Sequence, residues 1–381
     1  MIKDYFSVIT NIVKTCIGSG ILFCPIFFSQ LGIPKTLSLI FMSSMFSSLG
    51  LYLYVYCNHK RGKGSISTLA IRIKPVLKPL GDFVVITKTI IVVISYLNIA
   101  KSALIKNFLF FKVNVNIYAA MIFYCILLGL LICLKHVDAL KYSSFVGISG
   151  IIYLISLTVY NFFTKSHLGS FFTEKSPSNL PFKYLTFFVF SFTCHQTILP
   201  IHNEKYHKSL KFFTISIFSS IFIVAISYAI FGILNMKIYD FRTFGGNQNY
   251  LDVLKDDKLG LLARLSYLVV ISFSIPLQMI PCRDFVIPFL KKATKLNDKI
   301  LRIFLAFFLI FFCLFMSNFS KIDFLQRMVG GTSSNVLCFI LPSLYYLFLK
   351  GEKSKILKYL SYLNILFGFV VFLSFFYSLT Q

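Results

Sequence analysis

Apolar residues occupy long, nearly unbroken stretches of this chain, and polar positions gather in short segments between them. A helix that crosses the hydrocarbon core of a bilayer needs about 20 mostly apolar residues. Stretches of that length follow one another along the whole sequence and leave little chain for a soluble domain. The pattern predicts an all-α, polytopic membrane protein of about eleven transmembrane helices that forms a single domain over residues 1–381. The predicted spans are 5–27, 36–57, 81–105, 117–134, 143–163, 184–202, 212–235, 262–288, 300–318, 331–349 and 357–379.

Composition supports a membrane protein and excludes a soluble one. The 381 residues are 57% hydrophobic and 13% charged, with a mean hydropathy of +0.79. A soluble chain normally carries about 25% charged residues. The nine cysteines lie within or at the ends of predicted spans and form no Cys-x-x-Cys pair, so we expect neither disulfides nor a metal site. The first apolar stretch reaches full membrane length, which argues against a cleavable signal peptide.

The net charge of +25 would suggest a nucleic-acid partner in a soluble protein, but its placement here indicates topology. Lys and Arg concentrate before the first span and in the even-numbered connections, and the connection at 58–80 contains no acidic residue. Positive residues mark the cytoplasmic side of a membrane protein. We therefore predict a cytoplasmic N-terminus and, with an odd number of spans, an extracellular or lumenal C-terminus. The surplus charge attracts anionic membrane lipid, and no nucleic acid is expected as a partner.

The first span is interrupted near its middle by Gly18-Ser19-Gly20, with Pro25 behind the break. In lipid every backbone amide and carbonyl needs a partner, so a broken helix is tolerated only where it lines a cavity or a site. Small residues let backbone amides approach a ligand, and the freed half-helix N-terminus favours an anion such as a carboxylate. The alternative is a pair of glycines that packs closely against a neighbouring helix.

The sixth span has a comparable interruption. Polar residues crowd its middle, and polar groups at membrane depth are costly unless they face a bundle interior or a cavity. Two interrupted spans in matching positions of two five-helix repeats are the best sequence indication of a transporter site. The polar residues are Ser191, Thr193, Cys194, His195, Gln196 and Thr197, followed by Pro200.

These and five further segments resemble, in order, the amino acid/auxin permease superfamily, which carries an amino acid transporter transmembrane domain. The greatest similarity within it is to the sodium-coupled neutral amino acid transporters. The match covers nearly the whole chain. Its segments are Asn11 with Gly18-Ser19-Gly20-Ile21-Leu22; Ser95-Tyr96-Leu97 with Lys101-Ser102; residues 140–149; Phe192-Thr193-Cys194-His195 with Leu199-Pro200 and Glu204; Phe244-Gly245 with Ala263-Arg264-Leu265; Pro276 with Ile280-Pro281-Cys282-Arg283; and Gly330-Gly331-Thr332-Ser333 with residues 339–346.

The resemblance implies a LeuT-type fold, a 5+5 inverted repeat plus one extra helix. It also implies secondary active transport of amino acids, neutral ones in particular, by alternating access coupled to Na+ or H+, with no other cofactor. Tyr96 would reach the substrate from the third span, and Asn11, Ser272 and Ser274 match positions associated with cation binding. The residues that would hold the substrate's carboxylate and amino group are Gly18, Ser19, Gly20, Phe190, Ser191 and Thr193.

Two interpretations of the serines and of the buried charges stay open. Ser272 and Ser274, beside Pro276, can offer oxygens to a cation, but serines in membrane helices often bond the preceding turn's carbonyl. Lys14 lies one turn before the glycine break, where related transporters have an uncharged residue. It either occupies the cation site as a fixed or titratable charge, and so couples protons, or snorkels to the interface. The same two interpretations apply to Lys88.

His195 and Glu204 are gating or structural residues in this scheme. Imidazole at membrane depth can relay protons, but His195 more simply supports the broken sixth span, as a histidine does in the related transporters. Glu204 is either a solvated surface residue or part of a cytoplasmic gate.

A non-transporting membrane sensor that binds an amino acid is the alternative function, and the absence of a large predicted cytoplasmic segment argues against it. A channel would leave the two interruptions unexplained. No arrangement of catalytic residues and no P-loop is present, so we predict neither an enzyme nor direct use of ATP. The plasma membrane and an endomembrane are both open, as is the oligomeric state.

Overall fold

The computed structural model describes residues 2–134, 143–165, 181–241, 248–293, 297–319, 321–351 and 354–380. These residues form helices and no strand, which confirms the all-α class. Of the segments quoted above, residues 140–142 and Phe244-Gly245 lie outside the described residues. The helices are α1 Ile2–Cys16, α2 Cys24–Leu31, α3 Ile33–Arg61, α4 Ile66–Ile73, α5 Leu77–Phe110, α6 Ile117–Ile132, α7 Ser143–Thr164, α8 Leu185–Ser191, α9 His195–Glu204, α10 Leu210–Ile238, α11 Tyr250–Val253, α12 Lys258–Ala293, α13 Asp298–Ser317, α14 Ile322–Gly331, α15 Ser333–Asn335, α16 Leu341–Phe348 and α17 Lys355–Leu379.

Seven helices in the described part of the chain are long and apolar enough to cross a membrane, or eight if the bent pair at the start of the chain is one span. The seven are α3, α5, α7, α10, α12, α13 and α17. The remaining predicted spans correspond to the 16-residue helix α6, to the pair α8 and α9, and to the series α14–α16. The total of eleven spans stays a prediction.

The start of the predicted tenth span was wrong. We placed this span at 331–349, whereas α14 already begins at Ile322 and is followed after Thr332 by α15, a π-helical segment at Val336–Ile340, and α16. The first turns of α14 carry Gln326 and Arg327, which lower the local hydropathy. Gln326 is nevertheless fully buried, so tertiary packing stabilises a helix that hydropathy did not indicate.

Local chemistry explains several helix ends. Gly32 has φ +81° between α2 and α3, a left-handed conformation that glycine adopts without steric cost, and Pro34 follows in the first turn of α3. The Ser209 side chain accepts a hydrogen bond from the Phe212 amide at 3.2 Å and so caps the start of α10.

The chain divides into two compact units, each assembled from separate segments. Unit 1 comprises Met1–Val85, Gly169–Arg242 and Gln326–Gln381, and unit 2 comprises Ile86–Leu168 and Thr243–Leu325. Within unit 1, α10 packs against α1, α2 and α3, and α16 packs against α3 and α17. Within unit 2, α12 packs against α6, α7 and α13. The single domain over residues 1–381 stays a prediction.

Candidate functional site

The predicted break in the first span is confirmed. The helix α1 ends at Cys16, a 3-10 turn runs from Ser19 to Phe23, and α2 continues from Cys24. The two halves are bent by 51°. A side chain at Gly20 would overlap the side chain of Ser191, so the glycine allows this segment to approach the sixth span at close range. The segment is therefore broken as predicted, and Gly20 also makes the close packing contact of the alternative interpretation.

The predicted break in the sixth span is confirmed as well. The helix α8 ends at Ser191, and α9 begins at His195. Between them the Thr193 amide donates to the Phe190 carbonyl at 3.1 Å, and the Thr193 hydroxyl donates to the Val189 carbonyl at 2.7 Å. These bonds hold the break in one shape. Phe190, Ser191 and Thr193 are all buried.

Tyr228 contacts the C-terminal ends of α1 and α8, which are the first halves of the two interrupted spans. Its hydroxyl on α10 lies 2.9 Å from the carbonyl oxygen of Cys16 and 2.9 Å from that of Ser191, and its side chain is fully buried. The Cys16 thiol adds a donor 3.4 Å from the Ser191 carbonyl. The last carbonyls of a helix have no partner within the helix. The single Tyr228 proton is shared between the two carbonyls, so Tyr228 links the ends of α1 and α8. The sequence offered no signal for this role because Tyr228 lies in an otherwise apolar span.

A third interruption, in the tenth span, belongs to the same unit. Gln326 on α14 donates from Nε2 to the hydroxyl of Ser19 at 3.1 Å. A side chain at Gly330 would overlap the backbone carbonyl of Thr186 on α8, so α14 and α8 are in backbone contact. A π-helical segment follows, an irregularity that is common at functional sites. Sequence reasoning missed Gln326 because it lies before the predicted start of the tenth span.

His195 is held by hydrogen bonds at both ring nitrogens. Nε2 lies 3.2 Å from the Ser47 carbonyl oxygen, which can only accept, so this nitrogen carries the proton. Nδ1 then accepts from the Cys338 thiol at 3.1 Å. The ring is fully buried. These contacts support the structural interpretation of His195, whereas its gating role stays a prediction.

The candidate cation or coupling residues of α1, Lys14 and Asn11, are buried and half-buried respectively. Lys14 lies in the last turn before the break and is 8% exposed, so the residue is buried within the protein. Asn11 is half-buried, and its carbonyl accepts from the Thr15 hydroxyl at 2.7 Å. The cation or coupling roles of Lys14 and Asn11 stay predictions.

Ion pairs at the end of α9 are formed by Lys205 and Lys208, and Glu204, the candidate for a cytoplasmic gate, takes no part in them. Lys205 and Lys208 each pair with Asp4 at 2.8 Å and connect this end to the start of α1. Glu204 is exposed and makes no ion pair with any residue that the structure describes. Its gating role stays a prediction.

Unit 2 contains the other predicted residues. Tyr96 is 7% exposed on α5, and Lys88 on the same helix is 3% exposed. Ser272 and Ser274 each donate to the carbonyl one turn earlier at 2.8 Å, the bonding that we weighed against a cation role, and Tyr124 contacts the Ser272 hydroxyl at 2.9 Å. The roles of these residues toward substrate or cation stay predictions.

The nine cysteines all lie within the described residues and form no disulfide, and eight of them are buried. No group of three or more His, Cys, Asp or Glu within the described ranges is placed to hold a metal ion.

Solved transporter structures share this fold. MhsT in complex with L-phenylalanine aligns with a TM-score of 0.65 over 96% of this chain and 97% of that chain, at 12% identity. The manganese transporter of Eremococcus coleocola, in complex with an aromatic bis-isothiourea substituted compound, aligns with a TM-score of 0.61 over 98% of this chain and 85% of that chain, also at 12% identity. At this identity the likeness shows the fold alone, and the fold is that of the LeuT-type transporters.

Sequence comparison gives the family. The chain is 28% identical over 365 residues to vacuolar amino acid transporter 5 of Schizosaccharomyces pombe, covering 90% of this chain and 84% of that protein. It is 26% identical over 306 residues to vacuolar amino acid transporter 5 of Saccharomyces cerevisiae, covering 73% and 65%. Residues 4–381 match the family described as transmembrane amino acid transporter protein. The protein is therefore a multi-pass membrane transporter, and it belongs to this family.

Proposed function

We propose that the protein is a secondary active transporter that moves amino acids, neutral ones in particular, across an internal membrane by alternating access. The family and the vacuolar transporters among its relatives support an amino acid as substrate and an endomembrane as location. The charge distribution supports a cytoplasmic N-terminus. The proposal includes no enzymatic step.

One observation carries the proposal: the interrupted first and sixth spans meet at Gly20 and Ser191, and Tyr228 bridges the carbonyls that end their first halves. Broken helices that face each other in this way place partial charges of both signs at one depth of the membrane. The amides that begin the second half of the first span, at Ser19 and Gly20, suit a carboxylate. The carbonyl-rich ends of the first halves suit an ammonium group. An α-amino acid carries both groups on one carbon.

Uptake into proteoliposomes tests this function. Purified protein is reconstituted and supplied with a mixture of radiolabelled neutral amino acids, under a Na+ gradient and a pH gradient imposed separately. We expect accumulation driven by one of the two gradients, with protein-free vesicles as the control. Binding without accumulation under either gradient would contradict transport and favour an amino-acid sensor.

We propose H+ as the coupling ion, with Lys14 as the coupling group. Ionisable residues inside membrane-spanning segments often belong to proton relays in transporters. Lys14 is buried next to the break, so protonation of its side chain would change the charge at this position in step with transport. A protonated Lys14 would also make a bound Na+ unnecessary. Asn11, Ser272 and Ser274 then serve as polar packing residues.

Replacing Lys14 with methionine should uncouple transport from the pH gradient. With one proton per substrate, a gradient of one pH unit is worth about 1.4 kcal/mol and supports about tenfold accumulation. The Lys14→Met variant should reach only about equal concentrations on both sides, since methionine has similar length but cannot titrate. Accumulation at several imposed pH and Na+ gradients gives the measurement.

The matched control is Lys35→Met, because Lys35 is an exposed lysine in the same unit. It should keep the wild-type profile. If accumulation by Lys14→Met depends on the pH and Na+ gradients as in the wild type, Lys14 is not the coupling group. That result would leave the proposal of amino-acid transport intact.

A further inference from the structure

Gln326 brings an unused hydrogen-bond acceptor to the break in the first span. Its side chain is fully buried, and its Nε2 donates to the Ser19 hydroxyl at 3.1 Å. Its Oε1 has no hydrogen-bond partner among the residues that the structure describes. A buried carbonyl oxygen without a partner costs free energy, and in native proteins such a group usually has an explanation. A bound ligand that donates a hydrogen bond is one explanation consistent with this position.

Two backbone carbonyls at the breaks already have partners. The carbonyls of Cys16 and Ser191 accept from Tyr228, and Ser191 accepts also from the Cys16 thiol. A ligand with N–H donors can therefore bond to the Gln326 oxygen without displacing an existing hydrogen bond.

Asp323 precedes Gln326 by one turn on α14 and has an interaction of its own, and the acidic residues in the described part of unit 1 lie on other segments. Asp4 pairs with lysines at the start of α1, and the Asp82 carboxylate accepts from the Ser67 hydroxyl of α4. Glu204 is at the end of α9, and Asp240 follows the end of α10. The Gln326 oxygen is therefore a neutral partner that a cationic group at the break could use. A neutral partner suits a zwitterion, because the charge of its ammonium is balanced by its own carboxylate.

We propose that Gln326 is a substrate-binding residue whose Oε1 accepts a hydrogen bond from the α-ammonium of the transported amino acid. Through Nε2 the same side chain holds the oxygen of Ser19, and the Ser19 hydroxyl proton is then free to donate to the substrate carboxylate. The amide thus helps to bind both the α-ammonium and the carboxylate of the amino acid. Neither contact involves the side chain that the substrate carries. This inference rests on the proposed function, because it assigns a residue to the same site.

Binding of amino acids and of the same acids without the amino group tests the proposal. The probes are L-leucine against 4-methylpentanoate and L-alanine against propionate, with binding constants taken from ligand-dependent thermal unfolding of the purified full-length protein. The wild-type protein should bind the amino acid much more tightly than its des-amino partner. A hydrogen bond to a charged group predicts that Gln326→Leu weakens the amino acid about 10- to 100-fold and the des-amino acid far less.

Two variants separate a binding role from a structural one. Gln326→Glu keeps an acceptor of the same size but loses the Nε2 donor to Ser19, so both probes should bind more weakly while the preference for the amino acid is retained. If the amide instead faced the carboxylate, the added negative charge would abolish binding of both probes. Asn364→Leu removes another fully buried amide in unit 1, on α17, whose Oδ1 also lacks a partner in the described residues. It should lower the unfolding temperature without changing the ratio of the two binding constants.

Equal weakening of both probes in Gln326→Leu, or an unchanged ratio, would overturn the assignment, as would a wild-type protein that prefers neither probe. The outcome is separable from that of the proposed function. Selective binding that depends on Gln326 without any uptake would refute transport and leave the binding role intact. Normal uptake in Gln326→Leu would refute the binding role and leave transport intact.

Discussion

Replacing Gly330 with alanine is expected to destabilise the folded protein by about 3 kcal/mol or more and to abolish uptake. The added methyl group would overlap the backbone carbonyl of Thr186 on α8 and press on the Phe190 side chain. A side chain can rotate away from an extra methyl group, but a backbone carbonyl moves only with its helix. Overpacking usually costs about 1–3 kcal/mol and more when the backbone must shift. The gain in helix propensity from alanine, about 1 kcal/mol, does not offset this cost. Thermal unfolding in detergent and uptake into proteoliposomes measure the two effects.

Gly81→Ala is the matched control because Gly81 is also a buried helical glycine in unit 1. The nearest atoms to an added methyl group there are side-chain atoms of Ile66, Leu341 and Tyr345 at 3.4–3.5 Å, which is ordinary contact. Alanine at this position should leave stability unchanged or raise it by about 0.5–1 kcal/mol. A Gly330→Ala protein that unfolds at the wild-type temperature would show that α8 and α14 do not lie as close as described.

The Tyr228→Phe variant should lose transport while remaining folded. The change removes one hydroxyl and leaves the carbonyls of Cys16 and Ser191 with fewer donors in a buried setting. The Gly18 amide still donates to the Cys16 carbonyl and the Cys16 thiol to the Ser191 carbonyl, so we expect a loss near the lower end of the about 1–3 kcal/mol that an unsatisfied buried acceptor costs. The two half-helix ends are then joined only by the weaker bond of the Cys16 thiol to the Ser191 carbonyl. We therefore expect the initial rate of uptake to fall at least about tenfold, a change worth about 1.4 kcal/mol. Initial rates and unfolding temperatures are to be measured on the same preparation.

Tyr345→Phe provides the comparison. Tyr345 is equally buried in unit 1, and its hydroxyl donates to the Ile66 carbonyl at 3.1 Å on α4 rather than to a broken helix. Its loss should cost a similar amount of stability with little effect on uptake per folded molecule. If both variants lower uptake only in proportion to the loss of folded protein, Tyr228 has a purely structural role.

The Gly330→Ala and Tyr228→Phe variants both disturb contacts of α8. Gly330 allows the tenth span to reach α8, and Tyr228 joins α8 to α1. Interrupted helices expose backbone groups, and these groups are useful for binding only while tertiary contacts keep them in place. A transporter of this type is therefore expected to be sensitive at positions that never touch the substrate.

The sequence by itself determined the helical class, the positions of most spans and the two principal interruptions. Long apolar stretches have one stable form in lipid, because an isolated segment satisfies its backbone only as a helix. The break at Gly18-Ser19-Gly20 was visible because small residues interrupt an apolar run, and that near His195 because polar residues do. Both signals are local, so neither depends on knowing what the segment packs against. The family followed from segments in order along the chain.

Only the tertiary structure showed what holds the breaks together. Tyr228 and the Cys16 carbonyl are 212 positions apart, and Gln326 and Ser19 are 307 apart, so no local pattern connects either pair. The start of the tenth span was missed for the same reason: its polar first turns are stable because Gln326 is buried by segments distant in sequence. Burial turns an ordinary tyrosine and an ordinary glutamine into groups with specific partners. Hydropathy reports the solvent that a segment prefers, whereas hydrogen-bond partners are decided by which distant segments the fold brings into contact.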